Sequence, residues 1–382
     1  MKVKFEEIVY EGKNGTRKPI KDDQLFYVGL EHLENNTLSI SRFGSKTPLK
    51  TTMKVMKKGD VLFGRRNAYL RRTGIAPHDG LCSGDIMILY PIETVINKDF
   101  LPFFLSSDYF FDIMIDRSTG SIMKRAMWSK IKNIEFALPP LSEQKKLGEL
   151  LWAMENTKQA YKKLIKATDN LIKAKFIEMF GDPETNPMGW EVKRMWEVTA
   201  WDKKFKGVLK SKQKKKVIKY PYLLANELNN LVDKNGDVYL LTTSSFLGYT
   251  TIEKAANYLC EGEIVSIPWG GYANIQYYKG KFVTSDNRIA TSVNIKILSN
   301  LFLYFYMLQI NDYIQSLYRG AGIQHPDMAK VLDIPIFIPP LPLQQEFSNF
   351  VEQIDRYKSS IRDSLSALEA SMRGILNGCF GE

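Results

Sequence analysis

Residues 138–144 read Leu-Pro-Pro-Leu-Ser-Glu-Gln, and residues 338–344 read Ile-Pro-Pro-Leu-Pro-Leu-Gln. The two copies lie 200 residues apart, and the same offset continues until residues 180–182 (Phe-Gly-Asp) align with residues 380–382 (Phe-Gly-Glu). A long internal repeat dictates architecture before any local motif does. The chain is therefore predicted to consist of two similar halves, each a globular region followed by a helix.

The double proline marks the boundary between the globular region and the helix in each half. Proline lacks an N–H group and restricts the residue before it, so it can neither continue a strand ladder nor lie inside a helix. Ser142 is expected to cap the helix that follows, and Gly181-Asp182-Pro183 is expected to end it. The first helix would then have roughly 38 residues and a length of about 57 Å.

Apolar residues recur at helical spacing along both helices, which predicts one apolar stripe on each. Each helix must bury that stripe, and its simplest partner is the other helix. Because domains and helices alternate along the chain, an antiparallel pair would place the globular domains at opposite ends, around a pseudo-two-fold axis. Thr157 and Thr168 interrupt the stripe, so the predicted coiled coil is imperfect. The predicted partner-binding residues of the stripes are Leu147, Leu151, Met154, Tyr161, Ile165, Phe347, Val351, Ile354, Ile361 and Leu365.

Both globular regions are predicted to be mixed α/β domains built on one plan. In the first, short β-rich runs between turns precede an aromatic helical segment at 101–115 and a last strand at 134–138. The second repeats the helical segment at 301–314, and Gly320 aligns with Gly120 of the first. The predicted fold class is α+β, with two pseudo-repeated domains separated by two long helices that form an antiparallel coiled coil. The predicted boundaries are 1–137, 138–182, 183–337 and 338–382.

The composition is that of an ordinary globular protein, with 44% hydrophobic and 25% charged residues among 382. A net charge of +11 favours a polyanionic partner, and nucleic acid, an anionic membrane and simple solubility are all compatible with it. Three widely separated cysteines indicate a reducing compartment and no structural zinc. No signal segment opens the chain, and the longest apolar run, 301–308, is too short for a bilayer. The chain is predicted to be cytoplasmic, with no membrane partner.

Motifs of catalysis are absent from the sequence. The three histidines lie in no motif, and there is no Walker loop, nucleophile elbow or zinc-protease helix. Residues 186–189 read Asn-Pro-Met-Gly and differ at the third position from the Asn-Pro-Pro-aromatic motif of amino-methyltransferases. The chain is therefore predicted not to be an enzyme and to hold no metal or cofactor itself.

Basic and aromatic clusters supply the candidate DNA-binding residues. Residues 65–72 place four arginines around an asparagine and a tyrosine, side chains that can contact guanine, adenine, phosphate and sugar. The repeat-equivalent stretch 268–274 is aromatic and glycine-rich, so the two halves should prefer different sequences. The lysine run 203–219 contains no acid and is expected to contact phosphates in a salt-dependent way, and a weaker version precedes residue 55. The candidates are Lys46, Lys50, Lys54, Arg65, Arg66, Asn67, Tyr69, Arg71, Arg72, Lys203, Lys204, Lys206, Lys210, Lys212, Lys214, Lys215, Lys216, Trp269, Tyr272 and Asn274.

Each of these clusters also has a structural explanation. The arginines could pair with local acids, the 268–274 stretch could be a tight turn around a packed tryptophan, and the lysines could form a solvated loop.

The repeated boundary, the helix it opens and the Phe-Gly-Asp ending resemble a specificity subunit of a type I restriction–modification system over the whole length. Residues 138–147 match the family's spacer opening closely, and 180–183 with 186–190 look like its connector into the second recognition domain. The second copy departs from the family by having Pro342-Leu343 where Ser-Glu is usual. The resemblance implies two target-recognition domains that read a bipartite, asymmetric target through the major groove, with the helices as a spacing ruler and docking platform.

The resemblance also implies the partners: double-stranded DNA, two methyltransferase subunits and restriction–translocase subunits. Those subunits, and not this chain, would supply the S-adenosylmethionine, ATP and magnesium chemistry. Half-sites are expected about one helical turn apart, near 10 bp. Two alternatives stay open: an interaction scaffold of another phage-defence complex without methylation output, and an interaction protein with no salt-dependent affinity for DNA.

Overall fold

The computed structural model describes residues 2–12, 15–16, 26–35, 37–44, 53–116, 126–204, 208, 217–243 and 247–380. Two compact units make up the chain: Met1–Leu164 with Ser360–Glu382, and Ile165–Ser359. The units are sets of residues that pack against one another, and each contains one globular domain and a part of both long helices. The domain boundaries predicted from the sequence separate each globular domain from the helix that follows it. They stay a prediction.

The described part of the chain contains short strands, short helices and two long helices. The strands are β1 (Lys2–Lys4), β2 (Val9–Glu11), β3 (Gly15–Thr16), β4 (Phe26–Val28), β5 (Met53–Met56), β6 (Val61–Gly64), β7 (Thr73–Ile75), β8 (Gly80–Ser83), β9 (Ile86–Pro91), β10 (Glu135–Ala137), β11 (Glu191–Arg194), β12 (Thr199–Asp202), β13 (Val217–Ile218), β14 (Tyr222–Leu223), β15 (Val238–Leu241), β16 (Tyr249–Thr250), β17 (Cys260–Pro268), β18 (Gln276–Ser285), β19 (Arg288–Val293), β20 (Tyr318–Arg319), β21 (His325–Pro326) and β22 (Pro335–Ile338). The α-helices are α1 (Phe5–Ile8), α2 (Leu101–Ser106), α3 (Asp108–Asp116), α4 (Trp128–Ile131), α5 (Leu141–Phe180), α6 (Met195–Val198), α7 (Ala225–Asn230), α8 (Ile252–Ala255), α9 (Asn300–Gln309), α10 (Asn311–Ser316), α11 (Met328–Leu332) and α12 (Leu341–Phe380).

The strands form separate sheets in the two units. The first unit has two four-stranded sheets, in the orders β2-β9-β6-β7 and β3-β5-β8-β4, and an antiparallel pair of β1 with β10. The second unit has an eight-stranded sheet in the order β13-β12-β19-β17-β18-β15-β16, with β14 also paired to β18. Its β11 pairs antiparallel with β22, and β20 pairs with β21 in a hairpin. Both domains are therefore mixed α/β, as predicted.

The repeat is visible in matching hydrogen bonds. In the first unit the Phe5 amide donates to the Ile134 carbonyl at 2.8 Å, and in the second the Met195 amide donates to the Ile334 carbonyl at 2.9 Å. Both donors open a one-turn helix that follows the first strand of their domain. The sequence similarity between 5–8 and 195–198 therefore reflects one shared local structure.

The aromatic segment predicted as one helix at 101–115 is two helices. Ser107 separates α2 from α3, and its buried hydroxyl accepts a hydrogen bond from the Phe110 amide at 3.1 Å. A serine that caps the second helix in this way also ends the first. The second domain has the same break at Ile310, between α9 and α10.

The long helices have 40 residues each, and α5 starts two residues earlier than a Ser142 cap would place it. The Pro140 carbonyl accepts hydrogen bonds from the amides of Glu143 and Gln144 at 2.9 Å. Ser142 therefore lies inside the first turn, and its predicted role as the cap is wrong. The predicted end is confirmed: Gly181 follows α5 with φ +83°, a conformation that favours glycine, and an added Cβ would lie 2.6 Å from Pro187.

The two long helices pack together inside each unit. In the second unit the ring of Phe347 on α12 lies 5.5 Å from that of Phe176 and 5.4 Å from that of Phe180, both on α5. In the first unit Leu151 of α5 shares a buried cluster with Met372 of α12. Each unit thus combines the beginning of one helix with the end of the other, so the pair is antiparallel, as predicted. No helix within the described ranges has the length and apolar character required to cross a bilayer.

The predicted apolar stripe on α5 is in fact two rows with different surroundings. Leu151 is buried, and Leu147 and Met154 pack half-buried against the same core. A second row, Leu150, Leu164 and Leu171, is 46–49% exposed. The two rows share a spacing of seven residues but lie on different sides of the helix, which spacing alone does not distinguish.

Candidate nucleic-acid interface

The first candidate loop, residues 65–72, connects β6 to β7. The Gly64 amide donates to the Arg72 carbonyl at 2.9 Å, which closes the loop at its base. Asn67 and Arg71 have φ values of 56° and 48°, a left-handed conformation that costs a non-glycine residue about 1–2 kcal/mol. Such strain is concentrated at functional sites, which makes this loop a candidate for recognition.

Acidic side chains lie beside the arginines of this loop. The Asp85 carboxylate is 3.9 Å from Arg65 Nε and 3.5 Å from Arg66 Nη1. Arg71 forms ion pairs with Asp108 and Asp112 of α3. The structural explanation of these arginines, pairing with local acids, therefore applies to Arg65, Arg66 and Arg71. In Arg71 both terminal nitrogens are paired.

The polar side chains of this loop differ in their exposure to solvent. Tyr69 is exposed, whereas Arg65, Arg66, Asn67 and Arg72 are partly buried, with 42% of the Arg66 side chain accessible. Tyr69 is thus the side chain of this loop most open to a large ligand, and the partly accessible Arg66 lies beside Asp85. DNA contact by all six residues stays a prediction.

The lysine candidates of the first half fall into two groups. Lys46 and Lys50 lie outside the described residues. Lys54 is largely buried, and its ammonium donates to Glu11 Oε1 at 2.7 Å and to the Ile86 carbonyl at 2.8 Å. The ammonium of Lys54 on β5 is thus bonded to residues of β2 and β9. This placement does not support the predicted phosphate contact.

The lysine run of the second half is described only at its ends. Lys206, Lys210, Lys212, Lys214, Lys215 and Lys216 lie outside the described residues. Lys203 is exposed, but Lys204 is only 8% exposed, and its ammonium donates to the Ser285 carbonyl at 2.7 Å and lies 3.4 Å from Asp202 Oδ2. Burial lowers the pKa of Lys204 and raises the pKa of Asp202, against the attraction between the two charges. Lys204 is thus part of a buried polar pair instead of the surface predicted for it.

The second candidate loop, residues 269–274, connects β17 to β18 and is held from beneath by Arg288. Arg288 is fully buried, and its Nη1 donates to the Asn274 carbonyl at 2.9 Å. The Trp269 amide donates to the Asn287 carbonyl at 2.8 Å, which fixes the other end of the loop. Burial lowers the pKa of Arg288, because the charged form loses hydration.

The side chains of this loop divide between packing and exposure. The ring of Trp269 lies 5.1 Å from that of His325, and the side-chain Nδ2 of Asn274 donates to the Thr243 carbonyl at 3.2 Å. Tyr272 is 63% exposed and extends from the loop. The packed tryptophan of the structural explanation is therefore present, together with an exposed aromatic ring that can stack on or pack against a ligand.

Two features of this surface were not predicted from the sequence. Arg288 gave no signal, because a single arginine in a β-rich run does not reveal that it will be buried. The hairpin of β20 and β21 lies against the loop, with the Gly271 amide donating to the Gln324 carbonyl at 2.9 Å. Its one sequence signal was the alignment of Gly120 with Gly320.

Comparison with protein families finds one family twice in this chain. The model described as the type I restriction modification DNA specificity domain matches residues 7–168 and again residues 187–370. The matches cover both globular domains and most of both long helices, in agreement with the internal repeat.

Two curated relatives match parts of the chain. The type I restriction enzyme MjaVIII specificity subunit of Methanocaldococcus jannaschii is 23% identical over 194 residues, which cover 51% of this chain and 42% of the relative. The type I restriction enzyme EcoDI specificity subunit of Escherichia coli is 25% identical over 132 residues, or 34% of this chain and 29% of the relative. The chain thus spans less than half the length of either curated relative.

Two solved structures share the fold over the whole chain. The S subunit of the type I restriction–modification system from M. genitalium aligns with a TM-score of 0.59 at 14% identity, covering 100% of this chain and 96% of that one. A structure described as underlying complex assembly and conformational transition of the type I R-M system aligns with a TM-score of 0.53 at 15% identity, covering 100% and 97%. At these identities the likeness shows the fold alone.

Proposed function

This chain belongs to the type I restriction–modification DNA specificity family, and we propose that its two domains each read one half of a bipartite, asymmetric DNA target. The observation that carries the proposal is the pair of loops at repeat-equivalent places, 65–72 and 269–274, each of which presents an exposed tyrosine. The first presents arginine, asparagine and tyrosine, and the second presents tyrosine without any charged residue. Different side chains in the same position favour different bases, so the halves of the target should differ.

In this proposal the chain recognises DNA and performs no chemistry itself. Two methyltransferase subunits and a restriction–translocase subunit assemble on it, and they supply the S-adenosylmethionine, ATP and magnesium chemistry. The paired helices act as the spacing ruler and the docking platform. The family membership and the antiparallel pairing of α5 with α12 support these roles.

The first test concerns the arginines of the first loop. We expect Arg65→Ala with Arg66→Ala to weaken binding to the first half-site by about 1–3 kcal/mol per lost base contact, and to leave the second half-site unaffected. Binding of the full chain would be measured on duplexes in which one half-site at a time is scrambled. Lys98→Ala, which removes an exposed charge from the same unit, is the matched control.

The outcomes of this test separate base reading from phosphate contact. An equal loss on cognate and scrambled duplexes would assign the arginines to phosphates alone. Unchanged affinity would remove the loop from the interface, because Asp85 would then account for both arginines structurally.

The second test concerns the surface on which a methyltransferase would dock. The residues predicted from the sequence are buried or half-buried, and Leu151, Phe347 and Val351 are fully inside the units. Leu150 and Leu164, by contrast, are 48% and 46% exposed on α5. We propose that these exposed leucines, and not the buried row, contact the methyltransferase.

We expect Leu150→Glu with Leu164→Glu to abolish co-purification with the methyltransferase, since two charges would enter a desolvated contact. The free energy of unfolding should change by no more than about 0.5 kcal/mol per exposed site. Asn170→Glu, at an exposed position on another side of the same helix, is the control for added charge. Normal assembly of the double variant would refute this docking surface.

A further inference from the structure

The hairpin of β20 and β21 has an exposed tip on the surface of the second domain. Arg319 pairs with His325 across the hairpin, and residues 320–324 of the tip read Gly-Ala-Gly-Ile-Gln. All five tip residues are exposed, and Ile323 is 72% exposed. Gly320 has φ +143°, and an added Cβ would lie 2.9 Å from the Ile323 carbonyl oxygen, so the turn requires glycine.

The base of the hairpin is anchored in the domain. The hydroxyl of Tyr318, a buried residue, donates to the Pro268 carbonyl at 2.8 Å, directly before the 269–274 loop. The Asp327 amide donates to the Leu317 carbonyl at 3.0 Å, which closes the hairpin where α11 begins. The exposed tip therefore stands on a fixed base.

The hairpin and the 269–274 loop form one continuous surface. The Gly271 amide donates to the Gln324 carbonyl at 2.9 Å, and His325 Nδ1 lies 2.6 Å from the Trp269 carbonyl oxygen. A duplex that contacts the exposed ring of Tyr272 would therefore also meet the hairpin.

Arg319 is a cation on this surface, and its surroundings differ from those of the first-domain arginines. Arg65, Arg66 and Arg71 each face a carboxylate, whereas Arg319 is exposed and forms no ion pair with any residue that the structure describes. Asp327 nearby accepts a hydrogen bond from the Lys330 amide at 3.4 Å as the cap of α11. An exposed guanidinium with no counter-ion among the described residues, beside a glycine-rich turn, suits an anion such as a phosphate.

The repeat keeps basic residues in this segment of both halves. Residues 119–125 read Thr-Gly-Ser-Ile-Met-Lys-Arg, so that Gly120 aligns with Gly320 while the positive charge moves to Lys124 and Arg125. The positive charge is thus kept near the shared glycine, but at different positions in the two halves. Because phosphates repeat along the DNA backbone, such a charge fits a phosphate contact better than a contact with one base.

We propose that Arg319 contacts a backbone phosphate in the half-site read by the second domain, which makes the β20–β21 hairpin a second DNA-contacting element beside the 269–274 loop. This inference rests on the proposed function, because it requires that the second domain bind duplex DNA. It assigns the hairpin to affinity and register, and leaves base choice to the neighbouring loop.

The test measures the affinity of the full chain for a duplex carrying its target, as a function of salt concentration. With Arg319→Ala, we expect the slope of log K against log salt to fall by about 0.9, the value for one lost phosphate contact on B-DNA. The loss of affinity should be the same whether the second half-site is cognate or scrambled. Arg319→Lys should retain most of the affinity, since a point charge satisfies a phosphate. Lys296→Ala removes an exposed charge elsewhere in the same unit and is the control.

Three results would overturn the inference or its premise separately. A salt slope for Arg319→Ala equal to that for Lys296→Ala would remove the hairpin from the interface. An Arg319→Lys variant as weak as Arg319→Ala, with loss confined to the cognate second half-site, would show base reading instead of phosphate contact. Wild-type chain without any preference for its target duplex would refute the proposed function and not the hairpin alone. Far-ultraviolet circular dichroism and the midpoint of thermal unfolding confirm that each variant is folded.

Discussion

Replacing Phe347 with alanine is expected to lower the free energy of unfolding of the second unit by about 3–5 kcal/mol. Phe347 is fully buried, and its ring centroid lies 5.5, 5.4 and 5.3 Å from those of Phe176, Phe180 and Phe305. Alanine would remove these contacts and leave a cavity where the two long helices and α9 meet. The measurement is denaturant unfolding of the full chain, followed by hydrogen exchange of amides in the second unit.

Tyr357→Ala is the matched control, because this aromatic residue on α12 is 68% exposed and should change stability by no more than about 0.5 kcal/mol. If Phe347→Ala were as mild as Tyr357→Ala, the packing of α12 against α5 in this unit would be refuted. A normal unfolding free energy combined with lost methyltransferase binding would instead support the partner-binding role predicted from the sequence.

Replacing Gln344 with leucine is expected to destabilise the same unit by about 3 kcal/mol, although leucine has nearly the same volume. Gln344 is fully buried, and its Oε1 accepts from the Ser299 amide at 2.9 Å. Its Nε2 donates to the carbonyls of Ile297 at 2.9 Å and Pro339 at 2.8 Å. Leucine would leave three backbone groups without a partner, and each such loss costs about 1–3 kcal/mol when water does not replace it.

The repeat supplies a second copy of this experiment and a control beside it. Gln144 makes the equivalent bonds to the Asn97 amide and to the carbonyls of Val95 and Pro139, at 2.8, 3.1 and 2.8 Å. Gln144→Leu should therefore destabilise the first unit by a similar amount, and Gln345→Leu, at an exposed position, should have little effect. Equal stability of Gln344→Leu and Gln345→Leu would contradict the role of the buried amide.

These glutamines also explain why the boundary motif recurs at a fixed spacing. The two prolines end the last strand of the domain, and the glutamine four residues after the second proline bonds back to the carbonyl of the first. The same side chain holds the turn before the aromatic helices of its domain. The motif therefore connects the domain to the helix through the hydrogen bonds of its glutamine. From the sequence alone it is visible only as a repeated boundary.

Repetition made most of the architecture predictable. An offset of 200 residues requires two similar halves, and helical spacing after each double proline requires two long helices that bury one side. What the sequence left undetermined was decided by tertiary contacts. Ser142 was predicted as a cap because serine favours that position, but the Pro140 carbonyl already accepts hydrogen bonds from the amides of Glu143 and Gln144, so the helix begins before Ser142. Leu150 and Leu151 are equally apolar, and only packing shows that one is exposed and the other buried.

The candidate DNA-binding residues were less predictable, because charge alone does not show where a side chain lies. Lys204 belongs to a run of lysines, yet the carboxylate of Asp202 and the Ser285 carbonyl hold it inside the domain. Arg71 belongs to an arginine cluster, yet two aspartates of α3 pair with it. Arg319 was overlooked because it stands alone in the sequence, and its importance depends on the loop that the fold places beside it.

The most direct test of the central claim is a map of methylated adenines in DNA from cells that co-express this chain with its cognate type I methyltransferase subunit. The proposed function predicts a split and asymmetric motif, with one modified adenine in each half and a fixed gap between the halves. A continuous or symmetric motif would contradict two independent recognition domains with different loops. A stable complex that adds no methylation would contradict the claim itself, and would leave an interaction scaffold as the function of the chain.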